Sequence, residues 1–324
     1  MNRRITLCLL PVLATLFSAT AVQAQAFPPK PTITLTVGFA AGGAADTAAR
    51  IIAKKLGENI GATVVVDNKP GAGGNIAHAQ TASGPTDGSV ILLGSIGPLA
   101  LAPHMMKVTY DPLADLAPIA MAINTPNLLV VPANAPYKTF AEFIAYARKN
   151  PGKIDFASTG SGSASHLAGE LVNDAAHIET LHIPYKGGAP AMQDLLGGRV
   201  AAHYSTVSTA KPYIEAGKLI PLASTGAQRL ASYPKVPTVA ESGFPGFSAT
   251  NWYAFVASSK VPKATLDRWN TEIVKVLKSP DVIAQLNSHG LTPQPGTREE
   301  LEKVIRSEHA TYGRLIKQRN IKAE

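Results

Sequence analysis

Serines, histidines and glycines are the residues whose spacing could carry chemistry in this 324-residue chain. The run Thr159-Gly160-Ser161-Gly162-Ser163, followed by His166, is the densest cluster of hydroxyl and imidazole groups. A hydrolase elbow reads Gly-x-Ser-x-Gly, with the nucleophile on a strained turn between strand and helix. Here Gly162 stands where the nucleophile is needed, and no acid is placed to orient His166. A secreted hydrolase using Ser161 is therefore a distant alternative. Gly38-Phe39-Ala40-Ala41-Gly42-Gly43 has the look of a phosphate loop, but Ala44-Ala45 follows where Lys-Ser/Thr must hold phosphate and magnesium. Gly71-Ala72-Gly73 begins like a dinucleotide fingerprint, yet its third small residue would fall at the bulky Ile76. His78, His104, His166, His177, His182 and His203 are scattered without zinc-ligand spacing. No metal and no cofactor is expected.

What remains is one glycine turn in each half of the chain. A helix N-terminus presents unpaired N–H groups and the positive end of a dipole, so it holds a carboxylate without a charged side chain. Glycines let a ligand approach the backbone, and in open α/β sheets ligands bind beyond the carboxyl ends of the strands. The expected contacts are the main-chain N–H groups of Gly160 to Ser163, helped by the Ser158 and Thr159 hydroxyls. Asp46 reads as an N-cap for the first helix, worth about 1 kcal/mol.

The elements that must position these turns follow from periodicity. Thr32–Val37, Thr63–Val66 and Ser89–Leu93 read as strands, with helices at Asp46–Leu56 and Asn75–Thr81. The rhythm restarts near Val131. Lys138–Lys149 reads as a helix and Ile154–Ala157 as a strand. After the second turn comes a helix through Leu167 and Leu171. Leu181–Pro184, Val200–Tyr204, Leu219–Ala223 and Trp252–Ala257 read as strands, and Lys263–Leu277 and Arg298–Ile316 as amphipathic helices. Repeated strand, turn and helix indicates an α/β fold of two lobes, each a mostly parallel sheet flanked by helices. The tail is expected to pack back on the first lobe. Lobe 1 is then 27–130 plus 249–324 and lobe 2 is 131–248, with two interlobe crossings that make a hinge.

Met1-Asn2-Arg3-Arg4, an apolar run from Ile5 to Phe17 and the small residues ending at Ala26 form a signal peptide (1–26), cleaved near Ala26. Its Cys8 is the only cysteine, so disulfides and thiolate chemistry are excluded from the mature chain. The net charge of +8 is spread thinly, without a basic recognition helix, so no nucleic-acid partner is expected.

Read end to end, the sequence resembles the Bug family, the extracytoplasmic substrate-binding proteins of tripartite tricarboxylate transporters. The resemblance is carried by Val37 to Asp46, Asp67 to Asn75, Phe156 to Ser163 with His166-Leu167, Pro184 to Gly188, and Val236 to Gly246. It implies a two-lobed periplasmic binding protein of the Venus-flytrap type, not an enzyme. It implies capture of a small carboxylate for membrane permease subunits, and the protein is expected to act as a monomer. The site residues carried over are Phe39, Ala40, Ala41, Gly42, Gly43, Ala44 and Asp46 in the first lobe. In the second they are Ser158, Thr159, Gly160, Ser161, Gly162, Ser163 and His166, with Tyr185, Lys186, Gly187 and Thr206 as a further wall. One departure is that Ala201 to Thr206 lacks the acidic residue that members often carry after Gly-x-Val, which disfavours amino-acid ligands and favours an amine-free mono- or dicarboxylate, aromatic acids included. The same fold could serve a sensor that presents its ligand to a membrane signalling partner.

Overall fold

The computed structural model describes residues 27–323, so the expected signal peptide lies outside the described residues. Within them the chain builds two sheets, each flanked by helices. The first half runs β1 (Thr32–Val37), α1 (Ala44–Ile60), β2 (Thr63–Asn68), α2 (Asn75–Ala82), β3 (Val90–Ser95), α3 (Ala102–Met105) and β4 (Leu116–Asn124). The second sheet takes β5 (Asn127–Pro132), α4 (Phe140–Lys149), β6 (Asp155–Ser158), α5 (Ala164–Ala176), β7 (Leu181–Pro184), α6 (Gly188–Leu196), β8 (Ala202–Thr206), α7 (Val207–Glu215) and β9 (Leu219–Ser224). The chain then returns to the first sheet as β10 (Trp252–Ser258), α8 (Lys263–Leu277), α9 (Pro280–Ser288), β11 (Thr292–Pro293) and α10 (Arg298–Gln318). Strand order is β11-β4-β10-β3-β1-β2 in one sheet and β7-β6-β8-β5-β9 in the other.

The sheets are mixed, where mostly parallel ones were expected. β1 pairs β2 and β3 in parallel, and β6 pairs β7 and β8 in parallel. β10 and β5, which carry the chain into each sheet from the other lobe, run antiparallel to their neighbours. A strand that enters directly from a crossing arrives from the cleft side. It therefore runs opposite to the strands that end there.

Local chemistry sets several boundaries. Thr139 and Thr297 each form a capping box, with Glu142 and Glu300 respectively, and so start α4 and α10. β4 is absent from the sequence reading because it contains Pro118. Only Ile123 and Asn124 of that strand are covered by β11, so Pro118 lies on an open edge where a residue without N–H is tolerated. α7 escapes a pattern reading because Pro212 interrupts it.

Three apolar clusters hold the fold. One packs α1, α8 and α9 on a face of the first sheet around Ile52, Trp269 and Phe255. Another packs α6 and α7 on the second sheet around Met192 and Leu195. The largest is continuous between the lobes, from Leu92 and Leu99 through Phe143, Phe156 and Leu167 to Ile305 and Ile316 of α10. Trp269 is fully buried, with its indole N–H on the Gly88 carbonyl at 3.0 Å and Phe27 edge-on at 4.7 Å. No described helix is long and apolar enough to cross a membrane.

The chain leaves the first sheet after Asn124 and returns to it at Trp252. β5, the first strand of the second sheet, straddles the expected boundary at 130/131. The three passing segments are tied together. Thr125 N donates to Asn251 O at 2.9 Å and Asn127 N to Thr225 Oγ1 at 3.1 Å. Thr225 Oγ1 donates in turn to Ala249 O at 2.9 Å. The lobes also meet directly. Ala40 N donates to Lys186 O at 2.9 Å, Lys211 Nζ to Ser288 O at 2.7 Å, and Arg319, just after α10, pairs with Asp174 of α5.

This closure is intolerant of side chains. A Cβ on Gly73, which sits at φ +62°, would lie 2.3 Å from the Ser161 carbonyl oxygen. Gly73→Ala should therefore hold the lobes apart. Small-angle scattering of the variant should give a larger radius of gyration than wild type, with cooperative melting retained. An identical radius in a folded variant would refute the backbone contact.

Candidate functional site

The loops after β1, β2, β6 and β7 lie at the carboxyl ends of their strands and meet across the seam between the lobes. The first is Gly38–Gly43, between β1 and α1. Asp46 organises it, but not as the N-cap. α1 starts at Ala44, with Gly43 as its cap, so Asp46 lies in the first turn. Its carboxylate folds back to accept from Gly42 N at 3.0 Å, from Arg50 Nε at 3.0 Å and from Asn68 Nδ2 at 3.0 Å. Asn68 Nδ2 also donates to Phe39 O at 3.0 Å, pinning the loop from β2. Burial alone would raise the Asp46 pKa, but the bonds from Arg50, Gly42 and Asn68 outweigh it and hold the carboxyl below its usual range. With both oxygens occupied, Asp46 shapes the loop from behind. Phe39 is buried edge-on to Tyr253, with ring centroids 6.4 Å apart, while Ala41 and Gly42 are exposed. Gly43 and Ala44 are buried at the helix start.

The second is Thr159–Ser163, between β6 and α5, and it is internally bonded. Gly160 N donates to Ser158 Oγ at 3.0 Å, Gly162 N to His166 Nδ1 at 3.2 Å and Ser163 N to Gly160 O at 3.1 Å. Thr159 N donates to Ser165 Oγ at 2.8 Å, and the Thr159 and Ser163 hydroxyls both meet that same oxygen at 3.1 Å. Ser163 is the N-cap of α5, accepting from His166 N at 3.3 Å. The Gly160, Gly162 and Ser163 amides and the Ser158 and Thr159 hydroxyls thus have partners within the protein in this conformation. Ser161 is half-buried with its carbonyl against Gly73, and Gly160 packs on the same residue, where a Cβ would lie 2.7 Å from Gly73 N.

Beneath this loop two imidazoles stack, His166 on His182, with centroids 3.7 Å apart and planes 8° apart. His182 Nε2 lies 2.6 Å from Ser158 Oγ. Each ring therefore supports one loop amide, His166 directly and His182 through Ser158. Burial pushes His166 down to about 3, with His182 adding to the shift, and burial pushes His182 to about 4. Both rings are neutral near pH 7, as an accepting Nδ1 on His166 requires. Glu170 Oε1 lies 3.7 Å from His166 Nε2.

The third wall comes from β7 and β8. The Tyr185 hydroxyl donates to Asp194 Oδ2 at 2.8 Å. Lys186 is exposed, and Gly187 packs on Ala40. Thr206 is buried, its hydroxyl 3.0 Å from that of Thr209. Sequence reasoning missed Arg50, Asn68, His182, Asn127, Asn251 and Tyr253. Asn68 lies inside a glycine-turn motif, and its amide in a strand ending at that turn was the available signal. Burial pushes the Tyr253 hydroxyl up to about 12, against an opposing hydrogen bond with Asn251. Among the described residues no group of three or more His, Cys, Asp or Glu could hold a metal ion.

Helix ends dominate the electrostatics. α1, α5, α6 and α7 all begin at this seam, capped by Gly43, Ser163, Gly187 and Thr206. The starts of α1 and α6 face each other, since a Cβ on Gly43 would stand 3.7 Å from Gly188 N. Two positive dipole ends so placed favour an anion between them.

The family model described as "Tripartite tricarboxylate transporter family receptor" matches residues 48–321. BugT of Bordetella pertussis is 34% identical over 312 residues, covering 96% of this chain and 95% of BugT. The solved periplasmic binding protein BugD is 32% identical with a TM-score of 0.87, over 90% of this chain and 99% of that one. An R. palustris protein solved with adipate is 33% identical with a TM-score of 0.85, over 89% of this chain and 97% of that one. MatC of Rhodopseudomonas palustris with bound malate is 28% identical with a TM-score of 0.84, over 88% of this chain and 98% of MatC.

Two measurements check this geometry. Asp46→Ala leaves Arg50, Asn68 and the Gly42 N–H without their acceptor. It should lower unfolding stability in urea by about 1–3 kcal/mol. Acid should also destabilise the protein through its buried histidines. Burial lowers His78, His166, His182 and His203 from 6.5 to about 4, 3, 4 and 4. The unfolded chain binds protons as the pH falls through 6.5, while the folded chain resists until about 4, so stability drops across that window. The melting temperature should be flat above pH 7.5 and decline from pH 6.5 to 4.5, less steeply in His166→Asn. No decline in wild type would contradict neutral buried rings.

Proposed function

We propose, because this chain belongs to the tripartite tricarboxylate transporter receptor family, that it captures a small carboxylate between its lobes and delivers it to a membrane transporter. The family is one of solute-binding proteins, not enzymes. The proposed ligand is an amine-free mono- or dicarboxylate, aromatic acids included, and adipate and malate, seen in two structural relatives, are its first candidates. The proposed setting is the periplasm, reached through the leader at 1–26. The proposed partners are permease subunits, with the receptor acting as a monomer.

One observation carries this reading. The N-terminal ends of α1 and α6 converge from opposite lobes, with Ala40 N bonded to Lys186 O beside them. An anion in that seam interacts with both lobes at once, so binding favours closure. No arginine lies in the glycine turns, so main-chain dipoles provide the selectivity for carboxylate. The exposed Lys186 adds a cation at the rim. In this reading the contacts come from Phe39–Ala44, with Asp46 behind them, and from Ser158–Ser163 with His166. Tyr185–Gly187 and Thr206 complete the wall. Gly160, Gly162 and Ser163 then exchange internal hydrogen bonds for ligand bonds, or bind through water.

A thermal-shift screen of carboxylic acids, sugars and amines tests the proposal. At a hundred times its dissociation constant, the correct acid should stabilise the protein by about 2.7 kcal/mol. A melt that responds to sugars or amines and to no carboxylate would sink the reading.

A further inference from the structure

Both crossings meet in one buried polar cluster. Thr125, Asn127, Thr225 and Asn251 are 1%, 1%, 0% and 6% exposed. Most of their polar atoms are paired with each other through the bonds that tie the three passing segments. Two atoms are not. The Thr125 hydroxyl and the Asn127 side-chain nitrogen are buried with no partner in the protein. Asn127 Oδ1 accepts from Asn251 Nδ2 at 3.3 Å, which leaves Asn127 Nδ2 free to donate.

The position of these atoms ties them to the seam. In the β5–β8 ladder Asn127 stands directly opposite Thr206, so the two side chains share a sheet face. Thr206 is the residue from which α7 starts. On the other side Asn251 precedes β10 by one residue, and Tyr253 of that strand lies edge-on to Phe39. The cluster thus spans the base of the seam, from the first-lobe loop to the end of β8.

We propose that the Thr125 hydroxyl and the Asn127 side-chain amide form a specificity subsite for the second carboxylate at the far end of the ligand. This rests on the carboxylate-capture reading above. A buried donor without an acceptor is costly, and native structures rarely leave one. A carboxylate oxygen removes that cost at both atoms through charge-assisted bonds. A hydrocarbon end of the same length leaves both atoms unpaired. Sites built to hydrogen-bond a ligand group discriminate strongly against analogues that lack it. The helix N-termini hold one carboxylate, the crossing cluster holds the other, and dicarboxylates are preferred over monocarboxylates of equal length.

Calorimetric titration with two matched pairs, adipate against hexanoate and succinate against butyrate, tests this. The proteins are wild type, Thr125→Val and Asn127→Ala, each checked for unchanged cooperative unfolding in urea. Thr125→Val removes a hydroxyl that bonds nothing in the protein, so it keeps the test valid if Asn127→Ala is unstable. The expected result is that wild type prefers the dicarboxylate of a pair. Each variant should lose at least about tenfold in affinity for that dicarboxylate with the monocarboxylate unchanged. Equal losses for both members of a pair, or no loss for either, would overturn the subsite and leave carboxylate capture standing. Wild type that binds none of the four acids, nor malate, would overturn both.

Discussion

Two main chains can touch across a gap only where neither carries a Cβ in the way. The seam between these lobes obeys that constraint at Gly73, where a side chain would collide with the Ser161 carbonyl, and at Gly160, where it would collide with Gly73 itself. Most else in the molecule follows from it. Where the lobes meet backbone to backbone, the groups facing each other are peptide dipoles and helix ends, while the long side chains Lys211 and Arg319 bridge the lobes elsewhere. Groups of that kind favour negative charge without a salt bridge.

Holding glycine loops in one shape needs support from outside the loops. Asp46, Arg50 and Asn68 supply it in the first lobe, where one carboxylate gathers a loop amide, a guanidinium and a side-chain amide. The stacked His166 and His182 supply it in the second, each supporting one amide from below. The two solutions differ in their response to acid. The carboxylate, with its lowered pKa, keeps its charge, whereas the imidazoles must stay neutral to accept. Both supports lie behind loops built largely from glycine and small residues.

Several features were legible in the residues themselves. The glycine turns announce themselves because Gly42, Gly160 and Gly162 adopt positive φ values that other residues resist. The helices at Lys138–Lys149 and Arg298–Ile316 were legible from their periodicity, and the structure adds the capping boxes at Thr139 and Thr297 that set their starts. Asp46 reads as an N-cap, which starts the helix three residues too late, since the cap is Gly43. An aspartate within the first turn has the same local preference as one at the cap, and only the position of Gly43 separates them. Pro118 and Pro212 hid β4 and α7, since proline argues against both elements unless an edge or a local break accommodates it. His182 gave no local signal, because its partner Ser158 lies 24 positions away on the neighbouring strand.

The amino-acid sequence by itself determined most of the strands and helices, where the chain can turn tightly, and that the glycine turns carry no arginine to clamp an anion. These properties depend on backbone sterics and periodicity within a few residues. Tertiary structure alone decided which turns confront each other: Ala40 with Lys186, Gly73 with Gly160, and Gly97 with Gly162 and Ser163. It also left the Thr125 hydroxyl and the Asn127 amide unpaired where the crossings meet. Such pairings are set by strand order and by the path of two crossings between sheets. No local pattern encodes them, because the residues that touch are far apart along the chain and become neighbours only when both lobes have folded and closed.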